Sequence, residues 1–415
     1  MATICIKNIG EIIGIVPQGV LRKEGNAMNE TGILHDAYLL MENGRIAAFG
    51  PMTETPQADE YIDAERGLLL PSFCDSHTHI VYSKARHNEF LDKINGLTYE
   101  QIAANGGGIL NSADYLHNTS EDDLYRQSMT RVNEMIQKGT GAIEIKSGYG
   151  LDTEDEMKML RVIRRIKETS PAIIKSTFLG AHAVGRGYTH EQYVSLLCNE
   201  MIPRVAAEQL ADYIDVFCDE GFFTIEDTDR ILTEGEKYGL KAKIHANELA
   251  VSGGVQVGVK HGALSVDHLE KTTDAEIEAL RNTKTMPTML PGSSFFLGLP
   301  YGRAKEYIQA GLGIALASDY NPGSSPSGDM RFVMALACIQ MKLTPIQALN
   351  ALTLNSAYAM DLSEEVGSIT MGKRANLIIT RPMQSLAIIP YQYQTPWIKQ
   401  IILGQQMVHS DCTTP

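Results

Sequence analysis

The sequence predicts an α/β protein: a closed (β/α)8 barrel of the TIM type, with a small β-sandwich domain built from the two ends of the chain. Three observations lead there. Apolar strand-like runs alternate with amphipathic helical segments through the middle of the chain; these runs number eight once Leu68 to His77 is included; and the first and last portions share a different texture of short strands broken by turns. The 415 residues, 44% of them hydrophobic, suffice for one large core with a smaller satellite.

In the opening portion, "AYLLMENGRIAAFG" sets Asn43-Gly44 between two strand-like pieces, a tight hairpin signal. The helical segment "TSEDDLYRQSMTRVNEMIQKG" offers Thr119 or Ser120 as a cap ahead of a first-turn acidic cluster. "DTEDEMKMLRVIRRIKETSP" likewise starts acidic, carries bases further along and stops at a proline. Strands follow as "GAIEIKSG", "IIKSTFLGAH", "YIDVFCDE", "KAKIHANE", "ALSVDHLE", "KTMPTMLPG" and "GIALASDYNPG". Several are apolar on successive residues, as expected of strands with helices on one side and a barrel core on the other. "GSITMGKRANLIITRP" and "IKQIILGQQMVH" return to the short-strand texture, so residues 1–66 and 365–415 are expected to form the small β domain around a barrel at 67–364.

A formal charge of -14 without a concentrated Lys/Arg run argues against nucleic acid as a partner. The start of the chain lacks the pattern of an export signal, and no apolar run approaches spanning length, so a soluble, cytoplasmic protein with no membrane partner is expected. The six cysteines form no C-x-x-C pair and read as buried thiols of a reducing compartment.

Polar residues interrupt the strands where they should end. In "LPSFCDSHTHIV", alternate side chains of an extended segment share a face, so His77 and His79 can present two imidazoles to one ion. His245 lies near the end of "KAKIHANE", His268 near the end of "ALSVDHLE", and Asp319 directly follows a strand of small residues. In a barrel the C-terminal strand ends converge on one mouth, so these residues are expected to meet there and build a site.

Together, "DSHTH", the two later histidines and "SDYNPG" resemble the amidohydrolase superfamily of metal-dependent hydrolases. More narrowly, "HIVYSKARHNEF", "GLTYEQIAANGGGI", "EIKSGYGLD", "TFLGAHA", "IHANE" and "ASDYNPGSSP" resemble the imidazolonepropionase family over almost the whole chain. The resemblance implies hydrolytic opening of 4-imidazolone-5-propanoate to N-formimino-L-glutamate in histidine degradation, by metal-activated water. The alternative is another amidohydrolase, a deaminase or deacylase, acting on a different cyclic amide or amidine.

By the same resemblance, His77, His79, His245 and Asp319 bind one divalent metal, Zn2+ or iron. No lysine stands at the end of "STFLGAH" or "YIDVFCDE" to bridge a second ion, and Lys175 lies early in its strand, so a single-metal site is expected. Asp319 takes a proton from water and delivers it to the departing nitrogen. His268 stabilises oxyanion charge or orients the water, and His182 donates to the ring carbonyl. Glu248 is assigned first to substrate binding, with a catalytic part in steering the water. Arg86 offers a two-pronged match to the propionate carboxylate. Tyr149 and Tyr99 are further tail or ring contacts, and Asn321, Gly323 and Ser324 supply polar contacts from the loop after Asp319. Gly106-Gly107-Gly108 lets a loop approach the ligand closely. The implied partners are a small-molecule substrate with a carboxylate tail and a second copy of the chain in a homodimer.

Overall fold

The computed structural model describes residues 3–97, 101 and 107–409. Eight parallel strands follow one another in chain order: Phe73–Asp75, Thr140–Lys146, Ile173–Ala181, Tyr213–Cys218, Lys241–Ala246, Ser265–His268, Met286–Met289 and Ala315–Leu316. Helices join them, and the circle closes beyond the eighth strand, where Thr78 bridges Tyr320. There the Asp319 N–H donates to the His77 carbonyl at 3.1 Å and the His79 N–H to that of Tyr320 at 2.9 Å. Barrel closure therefore ties the first histidine pair to Asp319 through the backbone.

The two acid-led helices form as their sequences predict. Glu121–Gln137 is capped by Ser120, whose side chain accepts the Asp123 N–H, and Thr153–Thr169 by Asp152, which accepts that of Asp155. Each turns an apolar stripe inward, with Leu124, Val132 and Met135 from the first and Met159, Leu160 and Ile163 from the second fully or almost fully buried.

A second sheet, from both ends of the chain, contains Thr3–Ile15, Gly32–Glu42, Arg45–Pro51, Glu60–Asp63, Gly67–Pro71, Asn376–Pro382, Ile398–Leu403 and Gln406–His409. It encloses its own core, where Ile6, Ile12, Leu39, Leu69, Leu377 and Ile402 meet. Asn43 and Gly44 make the expected hairpin turn, both with positive φ.

One expected strand is divided. Leu68 to His77 reads as a single apolar run, but Gly67–Pro71 pairs with Asn376–Pro382 and Thr3–Ile15 in the terminal sheet, whereas Phe73–Asp75 opens the barrel. Pro71 has no N–H for a ladder, and the Ser72 N–H donates to Asn376 O at 2.8 Å as the chain passes between sheets. Both halves are buried, so hydrophobicity carries no mark of the change. We place the junction between the two units at Ser72. Gly25–Asn29 leans on the barrel instead of the terminal sheet, held by Gly25 N–H to Leu312 O at 3.0 Å and Lys23 N–H to Asn355 Oδ1 at 2.8 Å.

No helix among the described residues is long and apolar enough to cross a membrane. Five of the six cysteines lie among the described residues and are free thiols, four of them buried.

Candidate active site

At the C-terminal end of the barrel, three imidazoles turn the same nitrogen toward one point. His77 Nε2 lies 3.2 Å from His79 Nε2, which lies 3.3 Å from His245 Nε2. Asp319 Oδ1 stands 3.6 Å from His77 Nε2 and 3.5 Å from His79 Nε2. Ligands about 2.0–2.1 Å from a tetrahedral zinc are separated by about 3.3 Å, so the spacing fits one ion at the centre. Burial and neighbouring cationic groups push His77 well below the ordinary imidazole range. Burial and the adjacent imidazoles, His182 first, do the same to His79, and burial lowers His245 against the pull of Asp215. These rings are neutral, and without a cation their lone pairs would face one another across a buried space.

The far sides of two of these rings are held by carboxylates that the sequence reading did not single out. His77 Nδ1 donates to Asp267 Oδ2 at 2.6 Å, and His245 Nδ1 lies 3.0 Å from Asp215 Oδ2. Such partners fix the tautomer that leaves Nε2 free for a metal. His79 Nδ1 has no such partner among the described residues. Lys146 Nζ stands 2.8 Å from Asp215 Oδ2 and 2.6 Å from Glu144 Oε1, while Lys243 Nζ is 2.6 Å from Glu144 Oε2 and donates to Ser76 O at 2.8 Å. Lys146 is thus a strand-end lysine inside the barrel, on the second strand, but its ammonium is engaged by carboxylates. Lys175 points away, with Nζ 3.8 Å from partly exposed Asp212.

His268 is placed between acids. Its Nε2 is 3.7 Å from Glu248 Oε2 and its Nδ1 is 3.5 Å from Glu270 Oε2. Burial alone would lower its pKa, but Glu248, Glu270 and Asp319 outweigh that and raise it well above the ordinary value. In its protonated form the ring is a donor at the pocket. His268 and Asp319 both have positive φ, 86° and 54°, backbone strain concentrated at the site.

His79, His245, His268 and Asp319 line a cavity of about 160 Å³, with Arg86, Tyr149, Glu248, Asn321, Gly323 and Ser324 also in its wall. Arg86 Nε is buried without a hydrogen-bond partner among the described residues. Its nearest carboxylate, Glu89 Oε2, is 3.7 Å away, and Glu89 Oε1 accepts from Gly108 N–H and Asn111 Nδ2, both at 3.0 Å. Gly323 makes room for that guanidinium: a Cβ there would fall 1.3 Å from Arg86 Nη2. Asn321 shapes the same turn, its Oδ1 accepting the N–H groups of Gly323 at 2.8 Å and Ser324 at 2.7 Å, and Ser324 Oγ donates to Asp319 Oδ2 at 3.2 Å. Burial, reinforced by Glu270 and Asp319 against the pull of His268, pushes Glu248 up to about 7.

The expected role of His182 needs correction. Its Nδ1 lies 2.9 Å from Gly148 O, and a carbonyl only accepts, so Nδ1 carries the hydrogen. Burial, with His245 nearby, lowers its pKa to about 3, so the ring is neutral and Nε2 is a lone-pair acceptor, unable to donate to a carbonyl. Tyr99 and Gly106 lie outside the described residues.

The closed barrel and its mouth of three imidazoles and a carboxylate define a metal-dependent hydrolase of the amidohydrolase type, and the Amidohydrolase family model matches residues 68–408. The atrazine chlorohydrolase of Arthrobacter aurescens TC1, solved with zinc, shares the fold at TM-score 0.74 with 14% identity, over 98% of this chain and 95% of that one. Relatives named imidazolonepropionase are far more similar in sequence. That of Christiangramia forsetii is 50% identical over 98% of this chain and 100% of its own length, and that of Flavobacterium johnsoniae 50% over 97% and 99%. The chain belongs to the imidazolonepropionase family, within the amidohydrolases.

Proposed function

We propose that this protein hydrolyses 4-imidazolone-5-propanoate to N-formimino-L-glutamate in histidine degradation. The observation that carries this reading is an arginine, Arg86, in the wall of the cavity that His79, His245 and Asp319 also line, its buried Nε having no hydrogen-bond partner among the described residues. Such a cavity suits a small ring whose amide is cut at one end while its carboxylate tail is held at the other.

The residues suited to hold the ion are His77, His79, His245 and Asp319, a borderline nitrogen-and-oxygen set appropriate to Zn2+ or iron. When bound, a divalent cation there supplies Lewis acidity, lowering the pKa of a water and polarising a carbonyl. Asp319 Oδ2 takes the proton of the attacking water. Water oxygen joins the ring carbonyl carbon, the amide C–N bond breaks, and Asp319 returns the proton to the departing nitrogen, which becomes the formimino N–H. Cationic His268 faces the developing oxyanion. Glu248, with Oε2 3.7 Å from His268 Nε2, holds the ring and, as a secondary part, steers the water. Arg86 binds the propionate, in the space Gly323 leaves open. Tyr149 and the turn of Asn321 and Ser324 complete the enclosure, and Tyr99 is assigned beside them from the family likeness. The same likeness carries a homodimer working in the cytoplasm.

The reading is tested by comparing 4-imidazolone-5-propanoate with an imidazolone lacking the carboxylate. An ionic hydrogen-bonded tail contact predicts a preference of about tenfold or more in kcat/KM. Equal turnover would move the assignment to an amidohydrolase of neutral rings.

A further inference from the structure

Glu156 does not line the pocket, yet it organises one wall of it. Its carboxylate is fully buried and accepts three consecutive-loop N–H groups: Gly150 at 2.7 Å and Leu151 at 3.1 Å on Oε1, Gly148 at 3.1 Å on Oε2. The loop is moulded tightly around this point. Gly148 has φ 110° and Leu151 φ 58°, and a Cβ on Gly150 would come within 2.3 Å of the Glu156 nitrogen. Tyr149, between these anchors, is 2% exposed and faces the cavity.

The loop also sets a neighbour. Gly148 donates its N–H to Glu156, and its carbonyl, in the next peptide group, accepts from His182 Nδ1 at 2.9 Å, so the carboxylate and the imidazole hold the two sides of one residue. His182 lies stacked over His79 with ring centroids 5.1 Å apart and 18° between planes, and it lines the cavity. No hydrogen-bond partner for Nε2 is present among the described residues.

We propose that Glu156 is a positioning residue that fixes the Nδ1–H tautomer of His182, and that the pocket thereby selects substrates presenting a ring N–H to His182 Nε2. The inference rests on the ring-opening reading for the identity of the substrate; the tautomer itself does not. A neutral imidazole with Nδ1 committed as donor has a single lone pair at Nε2, and a lone pair pairs only with a donor. A ring amide or amidine nitrogen bearing hydrogen satisfies it. A ring oxygen or an N-methyl group leaves a buried acceptor unpaired, which is costly.

The test uses zinc-loaded full-length protein labelled with 15N-histidine, the His182 resonances being assigned by loss in His182→Gln. Wild-type protein is expected to show His182 protonated at Nδ1 and bare at Nε2. In Glu156→Gln the amide nitrogen cannot accept from Gly148, and the expected result is a mixed His182 tautomer with KM raised about tenfold and a smaller change in kcat. Calorimetry on wild-type protein is expected to show a ring N-methylated imidazolone-propionate binding about tenfold or more weakly than the unmethylated compound. Protonation at Nε2 in the wild type, an unchanged tautomer and KM in a folded Glu156→Gln, or equal binding of the methylated ring would each overturn the proposal. If Glu156→Gln fails to fold, the wild-type spectrum and the binding pair decide. Neither requires turnover, so failure of the ring-opening reading is seen separately, as substrate that is not consumed.

Discussion

Asp267 Oδ2 lies 2.6 Å from the inner nitrogen of His77, with both side chains wholly buried. The relationship repeats at His245 and Asp215, 3.0 Å apart, so two of the metal-facing rings are aimed from behind by carboxylates on barrel strands. Asp267→Asn keeps the shape and removes the charge. The expected outcome is metal affinity lowered about 10- to 100-fold, measured by competition with a chelator of known affinity. Unchanged affinity would mean that His77 needs no partner.

Behind those carboxylates, Lys146 and Lys243 compensate Glu144, Asp215 and Asp267 in a fully buried network. Lys146→Met removes one ammonium and leaves its acids unbalanced. Breaking such a pair from one side costs about 3–5 kcal/mol, so the variant should unfold at clearly lower urea concentration than wild type. An equal midpoint would show that the network relaxes around the loss.

Gly323→Ala addresses the tail site without altering any charged group. The added methyl would occupy the position of Arg86 Nη2, the end of a flexible side chain that can swing aside, so the protein should fold normally. KM for the carboxylated substrate should rise about tenfold, with little change for an imidazolone lacking the carboxylate. Equal effects on both compounds would place Arg86 away from the tail.

Glu248 gives a pH dependence of stability in the metal-free protein. Burial raises its carboxyl from 4.5 to about 7, so between those values the folded chain keeps a proton that the unfolded chain releases. Stability then falls as pH climbs through that window. Glu248→Gln should flatten the fall, seen as a smaller difference in Tm between pH 5 and pH 8 in chelated protein. An identical slope in the variant would show that Glu248 ionises freely in the fold.

Much of the site was legible because metal chemistry demands particular residue types at strand ends. His77 and His79 share a strand face, and His245, His268 and Asp319 interrupt apolar runs where a barrel has its mouth. The carboxylates behind them were less visible: Asp215 sits between apolar neighbours and Asp267 between Val266 and His268, and a single charge at such a place does not say what it pairs with. Glu144 with Lys146, and Lys243 with His245, stand two residues apart, a same-face signal that was present in the sequence. The His182 tautomer was not readable, because it depends on a Gly148 carbonyl 34 positions away. The division of Leu68 to His77 escaped for a different reason: Gly67–Pro71 and Phe73–Asp75 are both buried throughout, and only Pro71 marks the passage between the sheets.

The most direct measurement of the central claim is turnover of 4-imidazolone-5-propanoate by purified protein of known metal content, with the product identified by mass, alongside Asp319→Asn. The predicted result is N-formimino-L-glutamate formed by wild-type protein, lost on chelation and restored by zinc or ferrous iron, with kcat of Asp319→Asn lowered at least about 100-fold. Folded, metal-loaded protein that leaves the imidazolone intact would contradict the assignment.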